Sequence, residues 1–203
     1  MRYGMVINLK RCVGCDACTV ACKQANGTPP GVFYSHVSHI EKGIYPNGKV
    51  EHTPILCMHC SNPVCVTVCP TKASHKNEDG TVTIDQSKCI GCRQCIASCP
   101  YDVRNFISEK IKGYYPDKGL TPQEQTSYSN FIKGKVYKCD FCRNKRLGQQ
   151  EEPVCVQTCP AEARIFGDLD DPNSNVSKLV AEHNTVRLAE EFGTQPSVYY
   201  IQK

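Results

Sequence analysis

Sixteen cysteines in this chain of 203 residues fall into four groups of four, with none left over. Groups one and three have the compact spacing C-x2-C-x2-C-x3-C; they are Cys12, Cys15, Cys18, Cys22 and Cys89, Cys92, Cys95, Cys99. Groups two and four have a longer middle interval; they are Cys57, Cys60, Cys65, Cys69 and Cys139, Cys142, Cys155, Cys159. Because three thiolates at the compact spacing can surround one corner of an iron–sulfur cube, the pattern predicts four [4Fe–4S] clusters.

The residues next to the cysteines fit loops that wrap around a cluster. Gly14 and Gly91 lie inside the compact groups, where a side chain would crowd the cluster. We expect the fourth cysteine of each group to lie at the start of a helix and to bind the neighbouring cluster, as in two-cluster ferredoxins. Proline follows the fourth cysteine in groups two, three and four and helps to turn the chain away, whereas Lys23 takes this place in group one.

Other uses of the cysteines fit their spacing less well. Disulfides of a secreted scaffold also give an even count, but they do not require a repeated C-x2-C-x2-C-x3-C run. Structural zinc normally takes two C-x2-C pairs, whereas three residues separate the third and fourth cysteines of every group. Haem attachment needs a histidine directly after C-x2-C, and those positions hold Asp16, Ser61, Arg93 and Arg143. Clusters are therefore favoured, with a zinc-binding interaction module as an alternative.

The groups could pair sequentially (one with two, three with four) or in a nested order (two with three, one with four). Only 19 residues separate Cys69 from Cys89, and they predict a β-hairpin with strands at 73–76 and 82–85 around an Asp79-Gly80 turn. The other two intervals between groups are 34 and 39 residues long. Strand-like segments also precede group one and follow group four, so the two ends of the chain can supply a second strand pair. The nested order is preferred on this spacing.

Nested pairing with a crossed fourth ligand predicts four sites in two units. The outer unit has one site made of Cys12, Cys15, Cys18 and Cys159 and another made of Cys139, Cys142, Cys155 and Cys22. The inner unit has one site made of Cys57, Cys60, Cys65 and Cys99 and another made of Cys89, Cys92, Cys95 and Cys69. The predicted fold class is α+β, with two tandem bacterial-type 2[4Fe–4S] ferredoxin-like units, short β-hairpins, small helices and long loops. We expect the outer unit to span 1–45 and 138–203, the inner unit 46–105, and an insertion 106–137.

Composition and charge agree with a core that depends on its cofactors. Leu, Ile, Val and Phe make up about a fifth of the chain, close to the ~20% level below which chains often do not fold unaided. The net charge of +4 is small and evenly spread, which argues against nucleic-acid binding. An oxidised cluster with its four thiolates carries about −2, so four clusters would bring the chain from +4 to about −4.

The sequence offers no motif for bond-making chemistry, and no catalytic residue is predicted. It has no phosphate-binding glycine loop and no G-x-S-x-G. No apolar run approaches the roughly 20 residues of a membrane span, and the N-terminus has neither a signal h-region nor a twin-arginine stretch. His59, inside CMHC, is either a spacer or a donor to a cluster sulfide. His75 and Lys76 belong either to a solvated turn or to a face toward a quinone or a membrane anchor.

Two segments of the chain are not needed to bind the predicted clusters. Residues 106–137 are polar and form either a surface excursion or a partner-docking insertion; their aromatic residues include Tyr114, Tyr115, Tyr128 and Phe131. After Gly167, the sequence predicts a helix capped by Ser174, with Val176, Leu179 and Val180 facing inward. The final segment PSVYYIQK predicts a strand, and both elements should pack on the outer unit.

The four groups, in this order, resemble the four-cluster iron–sulfur subunit of the molybdopterin oxidoreductases, the DMSO reductase superfamily. The resemblance covers nearly the whole chain through CVGCDACTVAC, CMHCSNPVCVTVCPTKA, CIGCRQCIASCPY and CDFCRNKRLGQQEEPVCVQTCP. The segments PAEARIFGDLDDPNSNVSKL and MRYGMVINLKRCVGC look most like the polysulfide, thiosulfate, tetrathionate and arsenate reductase branch.

This resemblance implies an electron-transfer subunit without a substrate site of its own. Its partners would be a molybdopterin-containing catalytic subunit and either a quinone-reactive membrane anchor or a c-type cytochrome. It would lie on the periplasmic side of the bacterial cytoplasmic membrane, exported together with the catalytic subunit, or alternatively in the cytoplasm. The same chemistry would also suit a subunit of a hydrogenase or formate dehydrogenase, or a free-standing polyferredoxin.

Overall fold

The computed structural model describes residues 1–108, 110–115, 117–149 and 151–202. The strands are β1 (Tyr3–Asn8), β2 (Ser35–Lys42), β3 (Lys49–Leu56), β4 (Ser74–Lys76), β5 (Val82–Ile84), β6 (Asn105–Phe106), β7 (Val136–Tyr137), β8 (Arg164–Asp168), β9 (Thr185–Val186) and β10 (Val198–Ile201). The α-helices are α1 (Ala17–Asn26), α2 (Val64–Thr67), α3 (Gln94–Ala97), α4 (Pro122–Tyr128), α5 (Val154–Gln157) and α6 (Asn175–Glu182). Most elements are short, as expected where loops must wrap around cofactors.

Each cysteine group runs into a helix, but the position of its cysteines differs from our prediction. The third cysteine, and not the fourth, lies in the first turn of the helix; these residues are Cys18, Cys65, Cys95 and Cys155. The fourth cysteine follows one turn later, at Cys22 inside α1 and just beyond the ends of α2, α3 and α5. The third and fourth cysteines are therefore separated by about one helical turn.

The residue after the fourth cysteine decides the length of the helix. Pro70, Pro100 and Pro160 follow helices of four residues, and the residue two places later has a left-handed backbone at Lys72, Asp102 and Glu162. Lys23 lacks the proline ring, so α1 continues to Asn26 and ends at a left-handed Gly27. Its ammonium group donates to the carbonyl oxygens of the loop after α1, at 3.0 Å for both Pro29 and Val32.

The two predicted strand pairs are present. β4 and β5 form the expected antiparallel hairpin, in which the His75 ring is held between the Ala73 carbonyl oxygen and the Thr83 hydroxyl, both at 3.0 Å. β1 pairs antiparallel with β8, and β10 lies parallel to β1 on its other side, giving a four-stranded sheet of order β8-β1-β10-β9. The ends of the chain thus share one sheet.

The C-terminal elements pack on this sheet as the sequence predicts. The Ser174 hydroxyl accepts a hydrogen bond from the Ser177 amide and caps α6. Val176 is fully buried against Val6 and Ile201, with Leu179 and Val180 partly buried beside it. Farther in, the Tyr200 hydroxyl donates to the Pro54 carbonyl oxygen at 2.8 Å, which ties β10 to the end of β3.

The long β2–β3 hairpin pairs from Ser35 to Leu56, so its turn includes the expected boundary between residues 45 and 46. Its base is buried and its outer half is exposed, with Ile44 and Tyr45 at the tip. No helix in the described part of the chain is long and apolar enough to cross a membrane.

The segment 106–137 has more internal structure than a polar loop. β6 and β7 pair across its base, and α4 begins with a capping box between Thr121 and Glu124. Tyr128 and Phe131 are buried in the chain itself, whereas Tyr114 and Tyr115 are exposed. Residues 109 and 116 of this segment lie outside the described residues.

Candidate cluster-binding sites

All four cysteine groups make the same backbone turn before their second cysteine. The residue at this position has a positive φ in every group: Gly14 at 69°, His59 at 43°, Gly91 at 70° and Phe141 at 58°. The compact groups use glycine, for which this conformation has little cost, whereas the expanded groups force a large side chain into it. Only the two glycines were predicted from the sequence; the shared offset within C-x-x-C was the signal for His59 and Phe141.

Neighbouring protein atoms give a second reason for glycine at positions 14 and 91, beside the predicted crowding of a cluster. A Cβ at Gly14 would overlap the imidazole ring of His52, and a Cβ at Gly91 would overlap the carbonyl oxygen of Gly134. The His52 ring is itself held by His39, at 2.9 Å between their Nδ1 atoms, and His39 contacts the Asp16 carboxylate at 2.7 Å.

His59 and Phe141 stack on each other and join groups two and four. Their ring centroids are 3.8 Å apart at an interplanar angle of 18°. His59 is fully buried, and its Nδ1 accepts a hydrogen bond from the Val82 amide at 3.0 Å. His59 is therefore buried in the core with its Nδ1 accepting from the backbone, and its Nε2 has no hydrogen-bond partner among the described residues. Donation from this Nε2 to a cluster sulfide stays a prediction.

Two cavities are each lined by four thiols from two different groups. The first encloses about 340 Å³, including some open solvent, and its thiols are Cys57, Cys60, Cys65 and Cys99. The second encloses about 320 Å³ on the same measure, and its thiols are Cys69, Cys89, Cys92 and Cys95. Helices α2 and α3 pack against each other between them, so each helix directs its third cysteine to one cavity and its fourth to the other.

The remaining eight cysteines are brought together by α1 and α5, which pack in the same way. The thiols of Cys18 and Cys159 lie close enough to Cys12 that their charges raise its pKa, after the larger effect of burial. Burial raises the pKa of the Cys22 thiol to about 12, with further contributions from the thiolates of Cys155 and Cys142. Burial also raises the pKa of Cys139, and the charges of Cys22 and Cys155 act in the same direction.

The donor set suits an iron–sulfur cluster. Burial and neighbouring thiolates raise the pKa of Cys60 to about 12 and that of Cys142 to about 11, so these thiols would ionise only with a compensating positive charge. Iron supplies that charge, and a coordinated thiol is deprotonated. Within the described ranges, no group of three or more His, Cys, Asp or Glu side chains is arranged around a single metal ion. The eight thiols of groups two and three surround two cavities, which is what a four-iron cluster needs.

Exposure differs sharply among the thiols. All sixteen cysteines lie in the described part of the chain, and Cys15 and Cys92 are exposed while the others are buried or half-buried. Val13 and Ile90, two residues before them, are also exposed. The two compact loops thus bring a predicted ligand to the surface.

Two models of 4Fe-4S dicluster domains match the sequence, one over residues 11–73 and one over residues 49–113. A selenate reductase subunit of Mesobacillus selenatarsenatis is 42% identical over 99% of this chain and 72% of the relative. The arsenate respiratory reductase iron-sulfur subunit of Shewanella sp. is 38% identical over 100% and 97%, and a polysulfide reductase chain of Wolinella succinogenes is 37% identical over 98% and 94%. The chain belongs to the four-cluster iron–sulfur subunits of the molybdopterin oxidoreductases.

This iron–sulfur subunit is an electron-transfer protein, and its cofactors are four [4Fe–4S] clusters. Its resemblance to the arsenate and polysulfide reductase branch, expected from its end segments, is confirmed by two of these relatives. The two dicluster matches agree with ferredoxin-like domains made of small helices and strands.

Proposed function

We propose that the iron–sulfur subunit relays electrons along a row of four clusters held by the nested, crossed cysteine sets. Site one would use Cys12, Cys15, Cys18 and Cys159, and site two Cys22, Cys139, Cys142 and Cys155. Site three would use Cys57, Cys60, Cys65 and Cys99, and site four Cys69, Cys89, Cys92 and Cys95. When bound, each cluster takes up and releases one electron.

The order of the row follows from which thiols lie near one another. Cys155 of site two is affected by the charge of Cys18 from site one. Cys139 of site two is affected by Cys57 of site three. Sites three and four share the buried Arg104, which lies near Cys57, Cys65, Cys95 and Cys99. These neighbours support the order one, two, three, four.

The observation that carries the proposal is the exposure of Cys15 and Cys92, because they belong to the two ends of this row. The four thiols of site two are all buried, and those of site three are buried or half-buried. Electrons would therefore enter at one compact loop and leave at the other.

We further propose that the outer unit spans 1–45 and 138–203, the inner unit 46–105 and the insertion 106–137. The catalytic partner would be a molybdopterin-containing subunit, since the relatives of this chain are named as subunits of selenate, arsenate and polysulfide reductases. The second partner would be a membrane anchor or a c-type cytochrome, on the periplasmic side of the membrane. Tyr114 and Tyr115 are the exposed aromatic pair that the insertion offers to a partner.

The proposal is tested with Cys15→Ala and Cys92→Ala in the complete complex. Each should reduce steady-state electron transfer between the electron carrier and the catalytic subunit by at least about tenfold, because each damages an end of the row. In rapid mixing, one variant should block reduction of the other three clusters from the carrier side only, and the other variant from the catalytic side only. Turnover unchanged in a variant that has lost its end cluster would contradict the row.

A further inference from the structure

Three cationic side chains are buried among the cysteine sets. Arg164, Lys138 and Arg104 are 3%, 6% and 5% exposed, respectively. Within the described residues none of them forms a salt bridge with a carboxylate. A buried charge is costly unless it is compensated, so their compensation must come from other groups.

Arg104 lies between sites three and four. One guanidinium nitrogen, Nη1, donates to the Ser74 hydroxyl at 3.0 Å, whereas Nη2 has no partner among the described residues. Arg104 lines the site-three cavity together with Cys57 and Cys65. On its other side, the Ser74 that it contacts donates its backbone amide to the Sγ of Cys69 in site four at 3.4 Å.

Arg164 occupies the equivalent position between sites one and two. It follows Cys159 at the same distance along the chain as Arg104 follows Cys99. Its Nη2 donates to the Ser35 hydroxyl at 3.0 Å, and its Nη1 has no partner in the described part of the chain. Its guanidinium group lies near the thiols of Cys155 in site two and Cys18 in site one.

Lys138 lies between the two units, at the gap between sites two and three. Its ammonium group donates to the carbonyl oxygen of Cys139, a site-two cysteine, at 2.7 Å and also to that of Val82. On the other side its charge acts on Cys57 and Cys65 of site three. The carbonyl oxygens neutralise only part of a full charge, which leaves the ammonium able to act on both sites.

We propose that each of the three gaps in the row holds one buried cation, Arg164, Lys138 and Arg104 in order, that raises the reduction potentials of the two clusters beside it. The inference rests on the proposed ligand sets. The three side chains would act through their charge on the clusters, without contacting a substrate.

The physical reason is the accumulation of negative charge along the row. Each oxidised site carries about −2 and each reduced site about −3, so adjacent clusters repel and each reduction makes the next one harder. A cation in the gap stabilises the more negative, reduced state of both neighbours. Because these cations are buried, solvent screens them less than it screens surface charges.

The test is an EPR-monitored redox titration of the intact holoprotein with Arg164→Gln, Lys138→Gln and Arg104→Gln. At a fixed solution potential, each variant should lower the reduced-to-oxidised ratio of two clusters by about tenfold, equivalent to about 59 mV for one electron. Arg164→Gln should affect sites one and two, Lys138→Gln sites two and three, and Arg104→Gln sites three and four. Ser74→Ala is the matched control, since it removes the partner of Arg104 but keeps the charge, and its potentials should stay near those of the parent protein.

The charge-conserving variants Arg104→Lys, Lys138→Arg and Arg164→Lys separate charge from packing. They should assemble four clusters with potentials close to the parent, even where the glutamine variant loses a cluster. The proposal would be overturned by unchanged potentials in a fully assembled glutamine variant, or by equal shifts at all four sites. Loss of clusters in both the glutamine variant and the charge-conserving variant of one residue would also overturn it. An error in the ligand sets would instead appear as the wrong cluster being lost in cysteine variants, with these charge effects still present.

Discussion

Replacing both Cys22 and Cys142 by alanine is expected to remove one cluster and leave three, with iron falling from about 16 to about 12 atoms per chain. Both thiols belong to the proposed site two, and the charge of Cys142 acts on Cys22 in the structure. Two ligands lost from one site abolish that site, whereas the other three keep all of theirs. Iron analysis with EPR spin quantitation on anaerobically purified protein measures the result.

The matched control pairs Cys22→Ala with Cys12→Ala. Cys12 lies near Cys18 and Cys159 in site one, so this variant should damage two clusters and leave only two intact. Residues that act on one site are strongly non-additive, and residues of separate sites are additive. If the Cys22 and Cys12 pair damages one cluster and the Cys22 and Cys142 pair damages two, the crossed fourth ligand is wrong.

Gly91→Ala is expected to destabilise site four by about 2–4 kcal/mol, from overpacking and a left-handed backbone together. Gly91 has φ of 70°, and the new Cβ would overlap the carbonyl oxygen of Gly134, which is backbone and cannot rotate away. The loop between Cys89 and Cys92 would have to shift. The measurement is the denaturant midpoint for loss of cluster absorbance, together with iron content.

Substitutions at two other glycines distinguish the cost of a left-handed backbone from the cost of a steric clash with the new Cβ. Gly31 has φ of 78°, and no described atom lies within 4 Å of its Cβ position, so Gly31→Ala should cost only about 1–2 kcal/mol from the left-handed conformation. The stability cost of Gly14→Ala should lie between those of Gly31→Ala and Gly91→Ala, because the new Cβ meets the His52 ring, a side chain that can move. Equal effects at Gly31 and Gly91 would show that the Gly134 carbonyl oxygen does not constrain the loop.

Local patterns predicted much of the fold because they act over short distances. The β4–β5 hairpin follows from an Asp79-Gly80 turn between alternating residues, and α6 follows from the Ser174 cap. The pairing of β1 with β8 joins residues more than 150 positions apart. It was predicted because the segment before group one matches the segment before group three, and the segment after group four matches the segment after group two. The parallel addition of β10 to β1 had no such internal repeat to reveal it.

The features that the sequence did not reveal depend on contacts that form only in the folded chain. Nothing near Gly91 in the sequence indicates that Gly134 will lie against it, 43 positions later. Similarly, Arg104 and Arg164 are ordinary basic residues in the sequence, and only their burial among thiols distinguishes them. The third cysteine lies in the first helical turn because each helix begins directly after a left-handed residue or a proline that the folded loop places there. These residues are the left-handed Asp16 and Arg93 before α1 and α3, and Pro63 and Pro153 before α2 and α5.

The most direct test of four [4Fe–4S] clusters in this chain is the iron and zinc content of anaerobically purified protein, with EPR during a reductive titration. Four clusters predict about 16 iron atoms per chain, no stoichiometric zinc, and signals that broaden or split as neighbouring sites become reduced. About two or four zinc atoms per chain and no EPR signal would contradict the presence of the clusters and favour a zinc-binding interaction module.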